Sequence, residues 1–149
     1  MLEGFDRYRA IGGPGWRPPT VAEVHERLVQ RLGAAEVWCL VAESSGSPVG
    51  HGAFLPTTLA SRPGPEPGLA HLWQLFVRPP FWGTGIASRL LAEATRAAAR
   101  DFQAMRLHTP AAQLRARRFY EREGFGVHDG PADDLDFGMP LVEYRRALI

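Results

Sequence analysis

The chain has 149 residues, of which 45% are hydrophobic and 22% charged, and a formal net charge of +1. These values suit a soluble globular protein of one domain, residues 1–149. They exclude three classes of molecule. The near-neutral charge gives no electrostatic case for a nucleic-acid partner, no stretch approaches the ~18 uninterrupted apolar residues of a membrane span, and a lone cysteine cannot form an internal disulfide. A single thiol and an N-terminus without an apolar leader core fit the cytoplasm. Cys39 lies in an apolar run and is expected to be a small core residue. All 17 basic residues are arginine and the chain has no lysine or asparagine. A GC-rich coding sequence explains that bias, so a single arginine carries little weight.

In chain order, residues 1–19 are rich in glycine and proline, and residues 2–9 read as the end of a helix. Pro18-Pro19-Thr20 opens a helix with Thr20 as N-cap and Glu23 at the capping-box spacing. Val21, Val24, Leu28 and Leu32 are its predicted buried stripe, and Gly33 its stop. Two apolar runs, 37–42 and 49–55, flank a Ser/Gly/Pro turn and predict an antiparallel hairpin. Residues 56–69 hold four prolines and read as a long loop, a place where function often sits. A strand over 71–78 ends at Pro79-Pro80, since proline cannot extend a sheet ladder. The helix over 85–100 is expected to bury Ile86, Leu90, Leu91, Ala94 and Ala98, with Arg89 and Glu93 paired on its outer face. A strand over 105–109, a helix over 111–123, a turn-like acidic stretch over 131–138 and a last strand over 141–146 complete the chain. The strand–helix–strand unit implies a parallel pair and the hairpin an antiparallel one. Together they predict an α/β chain of the α+β type, a mixed central sheet with helices on both faces.

The glycine turn carries the chemistry. Gly83 and Gly85 keep Cβ atoms away from the turn, so backbone N–H groups can approach a ligand at a helix N-terminus, where the macrodipole favours an anion. This is a phosphate cradle. A dinucleotide site fits poorly, because the sixth position of the turn is Ser88 and only one strand–helix–strand unit surrounds it. A nucleotide P-loop needs a lysine that the chain lacks.

Val77, Pro79 and Trp82-Gly83-Thr84-Gly85-Ile86-Ala87 follow the pattern of a strand ending in Val, a nearby Pro and Arg/Gln-x-x-Gly-x-Gly/Ala. Downstream, Gln113, Ala116, Phe119, Tyr120, Gly124 and Phe125 match Asn-x-x-Ala-x-x-Phe-Tyr-x-x-x-Gly-Phe. On these two linked motifs the chain resembles the GNAT acetyltransferase superfamily from about Pro19 to its end. The resemblance implies a GNAT-like acyl-CoA N-acyltransferase fold and acetyl-CoA as cosubstrate. It implies that N–H groups of Gly83, Thr84, Gly85, Ile86 and Ala87 hold the pyrophosphate. It also implies that pantetheine bonds to the main chain of Leu75, Phe76 and Val77, with Trp82, Gln113 and Phe119 beside the cofactor. Trp82 replaces the motif's Arg or Gln, and Gln113 replaces its Asn. Members usually begin with a strand and a helix; here the first strand is lacking. Residues 37–42 would then form an open apolar edge, which implies a start upstream of Met1 or a covering partner such as a second copy.

Acetyl transfer to an amine needs a base for the amine and an acid for the departing thiolate. The resemblance assigns the acid to Tyr120, with aromatic packing beside Phe119 as the alternative. Relatives carry Glu six residues before the strand's Val, where this chain has His71; an imidazole suits the task, and an exposed structural histidine is the alternative. His51 and His108 are further candidates. Asp133, Asp134 and Asp136 could receive a cationic amine or form a solvated turn. Arg115, Arg117, Arg118 and Arg122 could reach the 3′-phosphate or form an exposed helix face. Trp16, Trp38 and Trp73 are expected in the core or in the acceptor groove. The histidines show no metal-ligand spacing, so no metal is expected. The expected function is N-acetyl transfer to a small-molecule or peptide amine in a ternary complex. A catalytically silent acyl-CoA-binding or scaffold protein is the alternative.

Overall fold

The structure is a computed structural model that describes residues 1–60, 64–134 and 137–148. The first elements are α1 (Leu2–Asp6), a 3₁₀ turn over Arg7–Ala10, and α2 (Val21–Leu32). The hairpin follows as β1 (Trp38–Ser44) and β2 (Ser47–Pro56), then β3 (Leu69–Val77) and α3 (Ile86–Ala98). The chain closes with β4 (Ala104–Pro110), α4 (Leu114–Arg122), β5 (Gly126–Asp134) and β6 (Met139–Ala147). The six strands form one sheet in the order β1-β2-β3-β4-β6-β5. Only β3 and β4 are parallel; every other pair is antiparallel.

The core lies between one face of this sheet and α3. Leu91, Ala94 and Ala98 of α3 pack with Phe54, Ala70, Leu72, Met105, Leu107, Val142 and Tyr144. Small residues at two helical turns let the helix sit close to the sheet, while burying a side chain such as Leu91 contributes roughly 1.5–3 kcal/mol. Phe119 and Tyr120 of α4 pack against the same cluster. The N-terminal helices cover the opposite face, where Phe5 meets Phe76 and Arg31 lies over Trp73. The mixed sheet with helices on both faces is therefore as expected.

Several expectations change. The capping box forms, with Glu23 N–H donating to Thr20 Oγ1 and Thr20 N–H donating to the Glu23 carboxylate. The stripe behind it is not buried. Val24 alone is enclosed, Leu28 is half-buried, and Val21 and Leu32 remain 66% and 47% exposed. Five-residue α1 is too short to cover α2, and a shallow groove of about 400 Å3 lies between them. Cys39 is exposed, because β1 is a sheet edge that no other described strand flanks on its outer side; Leu40 and Val41 are exposed with it. Ile86 is half-buried and faces a cleft, and Glu93 pairs with Arg96 at 2.7 Å instead of Arg89. The acidic stretch read as a turn belongs largely to β5. Glycine, aspartate and proline disfavour a strand, and every β5 residue but the last is exposed. Only its pairing with β6, Val127 opposite Tyr144 and Ala132 opposite Leu141, makes it one. Asp136 lies outside the described residues.

Candidate active site

β3 and β4 pair over three rungs, Leu69–His71 with Ala104–Arg106, and then diverge. Beyond the last rung β4 bonds only to β6, while β3 remains bonded to β2 on its other side. A bulge helps to part the strands: Ala53 faces Gln74 and Phe54 faces Leu72, so Trp73 is an extra residue on β3. One side of the Leu75–Val77 main chain thus faces a V-shaped gap with no strand opposite it, and there the Val77 carbonyl accepts from the Trp82 indole. A strand edge that faces a gap can accept an extended ligand as a sheet would accept a strand.

The gap widens into a cleft of about 1450 Å3 that reaches the start of α3. It gathers His71, Tyr120 and every residue expected to hold ligand except Thr84, whose hydroxyl turns back to the Phe81 carbonyl at 2.5 Å. Gly83 and Gly85 have φ of +78° and +84°, and Gly85 is the N-cap of α3. No atom of the described residues lies within 4 Å of a Cβ built at either position, so they leave the space above the cradle open. Ser88 donates to Glu123 at 2.6 Å and ties the first turn of α3 to the end of α4.

Trp82 closes this end of the cleft. Its indole N–H donates to the Val77 carbonyl at 2.7 Å. The guanidinium of Arg7 sits 4.5 Å from its ring centroid and that of Arg115 sits 4.1 Å away. Where the motif carries one cationic or amide side chain, this protein has an indole with two guanidiniums against it, one from the N-terminal turn and one from α4. Arg118 and Arg122 also border the cleft, whereas Arg117 turns inward to the Tyr144 hydroxyl at 3.0 Å. Gln113 caps α4 from the cleft wall.

Tyr120 packs edge-on to Phe119 and Phe125, with centroids 5.2 and 5.9 Å apart, and burial raises its pKa. Packing and cleft exposure coexist: the ring sits on the core while the residue lines the cleft. Across the cleft stand Tyr8, Trp73, Phe137 and, on β5, Asp133 and Asp134. The Asp134 carboxylate accepts from Phe137 N–H at 2.7 Å and serves the turn. Trp16 donates to the Phe137 carbonyl, and Trp38 stacks on Phe54 in the core.

Where β3 and β4 part, burial, then His108, Arg106 and Arg31, push the His71 pKa down to about 3, so its ring is neutral near pH 7. His108 lies 3.3 Å from Glu143, a buried carboxylate on β6 that sequence reasoning missed. Its only signal is alternation: Val142 and Tyr144 face the core, so Glu143 must face the other way. His51 bonds to Gln74 at 2.9 Å and stacks on Phe76, away from this group. Among the described residues no set of three or more His, Cys, Asp or Glu could hold a metal, and no helix is long and apolar enough to cross a membrane.

The sequence profile of the acetyltransferase (GNAT) family matches residues 5–125. No curated protein matches the sequence. Among solved structures, a GNAT-family protein from Desulfovibrio desulfuricans superposes with a TM-score of 0.73 at 23% identity, covering 95% of this chain and 89% of that one. A GNAT-family acetyltransferase from Staphylococcus aureus Mu50 gives 0.71 at 15% identity, with 99% and 91% covered. The PaiA N-acetyltransferase of Thermoplasma acidophilum, solved in complex with coenzyme A, gives 0.63 at 16% identity, with 85% and 70% covered. With a profile match over most of its length and a sheet that parts above a glycine cradle, the chain belongs to the GNAT acetyltransferase family.

Proposed function

We propose that this is a cytoplasmic, one-domain N-acetyltransferase that moves an acetyl group from acetyl-CoA to a primary amine by direct transfer in a ternary complex. The observation that carries this reading is the continuity of two features in one cleft: the open edge of β3 leads straight to the cradle at the start of α3. Main-chain groups of Leu75, Phe76 and Val77 would pair with the pantetheine amides. The N–H groups of Gly83, Thr84, Gly85, Ile86 and Ala87 would take the pyrophosphate, with Trp82, Gln113 and Phe119 walling the site. The fit rests on open space where a Cβ would stand, a helix N-terminus, and guanidiniums at the cleft mouth. When bound, acetyl-CoA supplies the activated acetyl thioester.

The chain's own residues handle protons. Tyr120 stays protonated because burial raises its pKa, so its hydroxyl can give a proton to the leaving thiolate as charge develops there. His71 stands on the acceptor side as a neutral imidazole. Each well-placed acid or base contributes about 10²–10⁴-fold. The acceptor is a small-molecule or peptide amine. A second copy pairing on the open β1 edge, beside exposed Leu40 and Val41, is the partner this edge suits.

Isothermal titration with acetyl-CoA, followed by thiol release across a panel of amines, tests the reading. Binding is expected, with amine-dependent thiol release that Tyr120→Phe lowers about 10²-fold or more. No binding at millimolar ligand would overturn it. Binding without release by any amine would identify a catalytically silent acyl-CoA-binding protein instead.

A further inference from the structure

Two imidazoles meet where β3 and β4 part. His71 is in the last rung of the parallel pair, opposite Arg106, and His108 lies two residues further along β4. Their ring centroids are 5.5 Å apart and both residues line the cleft. They differ in what stands behind them. A histidine that takes a proton on one nitrogen needs an acceptor for the N–H on the other, which also fixes the ring's tautomer and aim. Nδ1 of His71 is buried with no hydrogen-bond partner among the described residues. A protonated His71 would leave a buried N–H with nothing to receive it, close to the buried guanidinium of Arg106.

His108 is built the other way. Its Nε2 lies 3.3 Å from Oε2 of Glu143, with side-chain exposures of 22% and 7%. Oε1 of Glu143 accepts from Arg145 Nε, and the two terminal nitrogens of Arg145 reach the Glu66 carboxylate at 2.6 and 2.8 Å. The carboxylate behind His108 is therefore held in place from the side away from the cleft.

We infer that His108, backed by Glu143, takes the proton of the acceptor amine, and that His71 is a neutral positioning residue beside it. This inference rests on the acetyl-transfer reading above. The amine nitrogen bonds to the acetyl carbon and the carbon–sulfur bond breaks. The amine proton passes to Nδ1 of His108, the nitrogen turned away from Glu143, while the sulfur takes a proton from Tyr120. The Nε2–H of His108 then donates to Glu143, whose negative charge offsets that of the imidazolium. The groups that face His108 are His71 on β3, Arg106 on β4, Glu143 on β6 and Asp134 on β5. Burial, the largest influence, and Arg106 hold the His108 pKa below its ordinary value, while Glu143 and Asp134 favour the protonated ring and limit that fall.

The test has a spectroscopic arm and a kinetic arm, both on the full chain. Imidazole proton–nitrogen correlation spectra, assigned with single His→Gln variants, follow each ring from pH 8 to pH 4.5. His108 is expected to carry its neutral-form proton on Nε2 and to titrate. Its midpoint should fall by about one pH unit in Glu143→Gln. His71 should not titrate in this range. In thiol-release assays His108→Gln should lower kcat/KM by about 10²–10⁴-fold and remove the acid limb of the pH profile. His71→Gln should keep that limb and lose less than about tenfold, with acetyl-CoA affinity unchanged in both. Titration of His71 with a silent His108 would overturn the inference, as would a His108→Gln variant that keeps its rate and its acid limb. A wild-type protein that binds no acetyl-CoA would overturn the underlying reading instead, and the spectra would still decide which ring titrates.

Discussion

Replacing Gly85 by alanine separates a backbone cost from a ligand cost. Gly85 holds φ at +84° as the N-cap of α3, and a Cβ there meets no atom within 4 Å. The added methyl therefore does not clash in the free protein. It does place an L-residue in the left-handed region, at a cost of about 1–2 kcal/mol. For a chain of this size that lowers Tm by roughly 2–8 °C. Gly46 supplies a matched control: it sits in the β1–β2 turn at φ +76°, its Cβ would also meet nothing within 4 Å, and it is not part of the cleft. Gly46→Ala and Gly85→Ala should lose similar stability in urea or thermal denaturation. Only Gly85→Ala should weaken acetyl-CoA, because its methyl occupies the space through which the cradle's N–H groups reach a phosphate. Loss of one charge-assisted hydrogen bond, about 1.5–3 kcal/mol, raises Kd roughly 10- to 150-fold. Equal affinity losses in the two variants, or unchanged affinity in Gly85→Ala, would refute the cradle argument.

Three further outcomes are expected. Trp82→Ala removes the bond to the Val77 carbonyl and both guanidinium contacts, a loss of roughly 2–3 kcal/mol by urea denaturation, whereas Trp82→Phe keeps a ring for Arg7 and Arg115 and should lose only about 1 kcal/mol. Equal losses would mean that the guanidinium stack contributes nothing. Thr20→Ala should lower stability by about 1 kcal/mol, seen as a lower Tm, because the capping box holds a helix that buries little of its own stripe. His71 gives a pH dependence with a definite sign. Its folded pKa of about 3 lies below the ordinary 6.5, so the unfolded chain binds the extra proton first. Its contribution is intact above pH 6.5 and is lost as pH falls from 6.5 toward 3, by at most about 1.4 kcal/mol per pH unit. Denaturation midpoints at pH 7 and pH 4.5 should therefore converge in His71→Asn relative to the wild type; an unchanged gap would show that His71 is not buried as a neutral ring.

The legibility of this protein varies with the range of the forces involved. The capping box of Thr20 and Glu23, the double-proline stop and the Gly83–Gly85 turn are local, and each appears in the structure where the residues put it. The Phe119-Tyr120 pair and the glycine turn lie far apart in sequence, yet their motif spacing implies one shared site, and both border one cleft. β5 was not legible, because its glycines, aspartates and proline oppose a strand until β6 offers a ladder. The stripe of α2 was misread for a related reason. Helical periodicity reports which residues share a face, but only a neighbouring element decides whether that face is covered, and α1 is too short to cover it. Cys39 failed as a core residue on the same ground.

The sequence by itself determined every element but β5, the cradle and the family resemblance, since those depend on backbone chemistry within a few residues. Tertiary structure alone decided how the site handles charge. Trp82 is a turn residue in sequence and becomes the seat of Arg7 and Arg115 only when the N-terminal 3₁₀ turn and α4 converge on it. His71 and His108 are equivalent imidazoles in sequence. Burial without a partner makes one neutral, and the β4–β6 register puts Glu143 behind the other. Proton affinity is set by desolvation and by charges within a few ångströms, and the partners that distinguish the two rings, Glu143 for His108 and His108 for His71, lie 35 or more positions away along the chain.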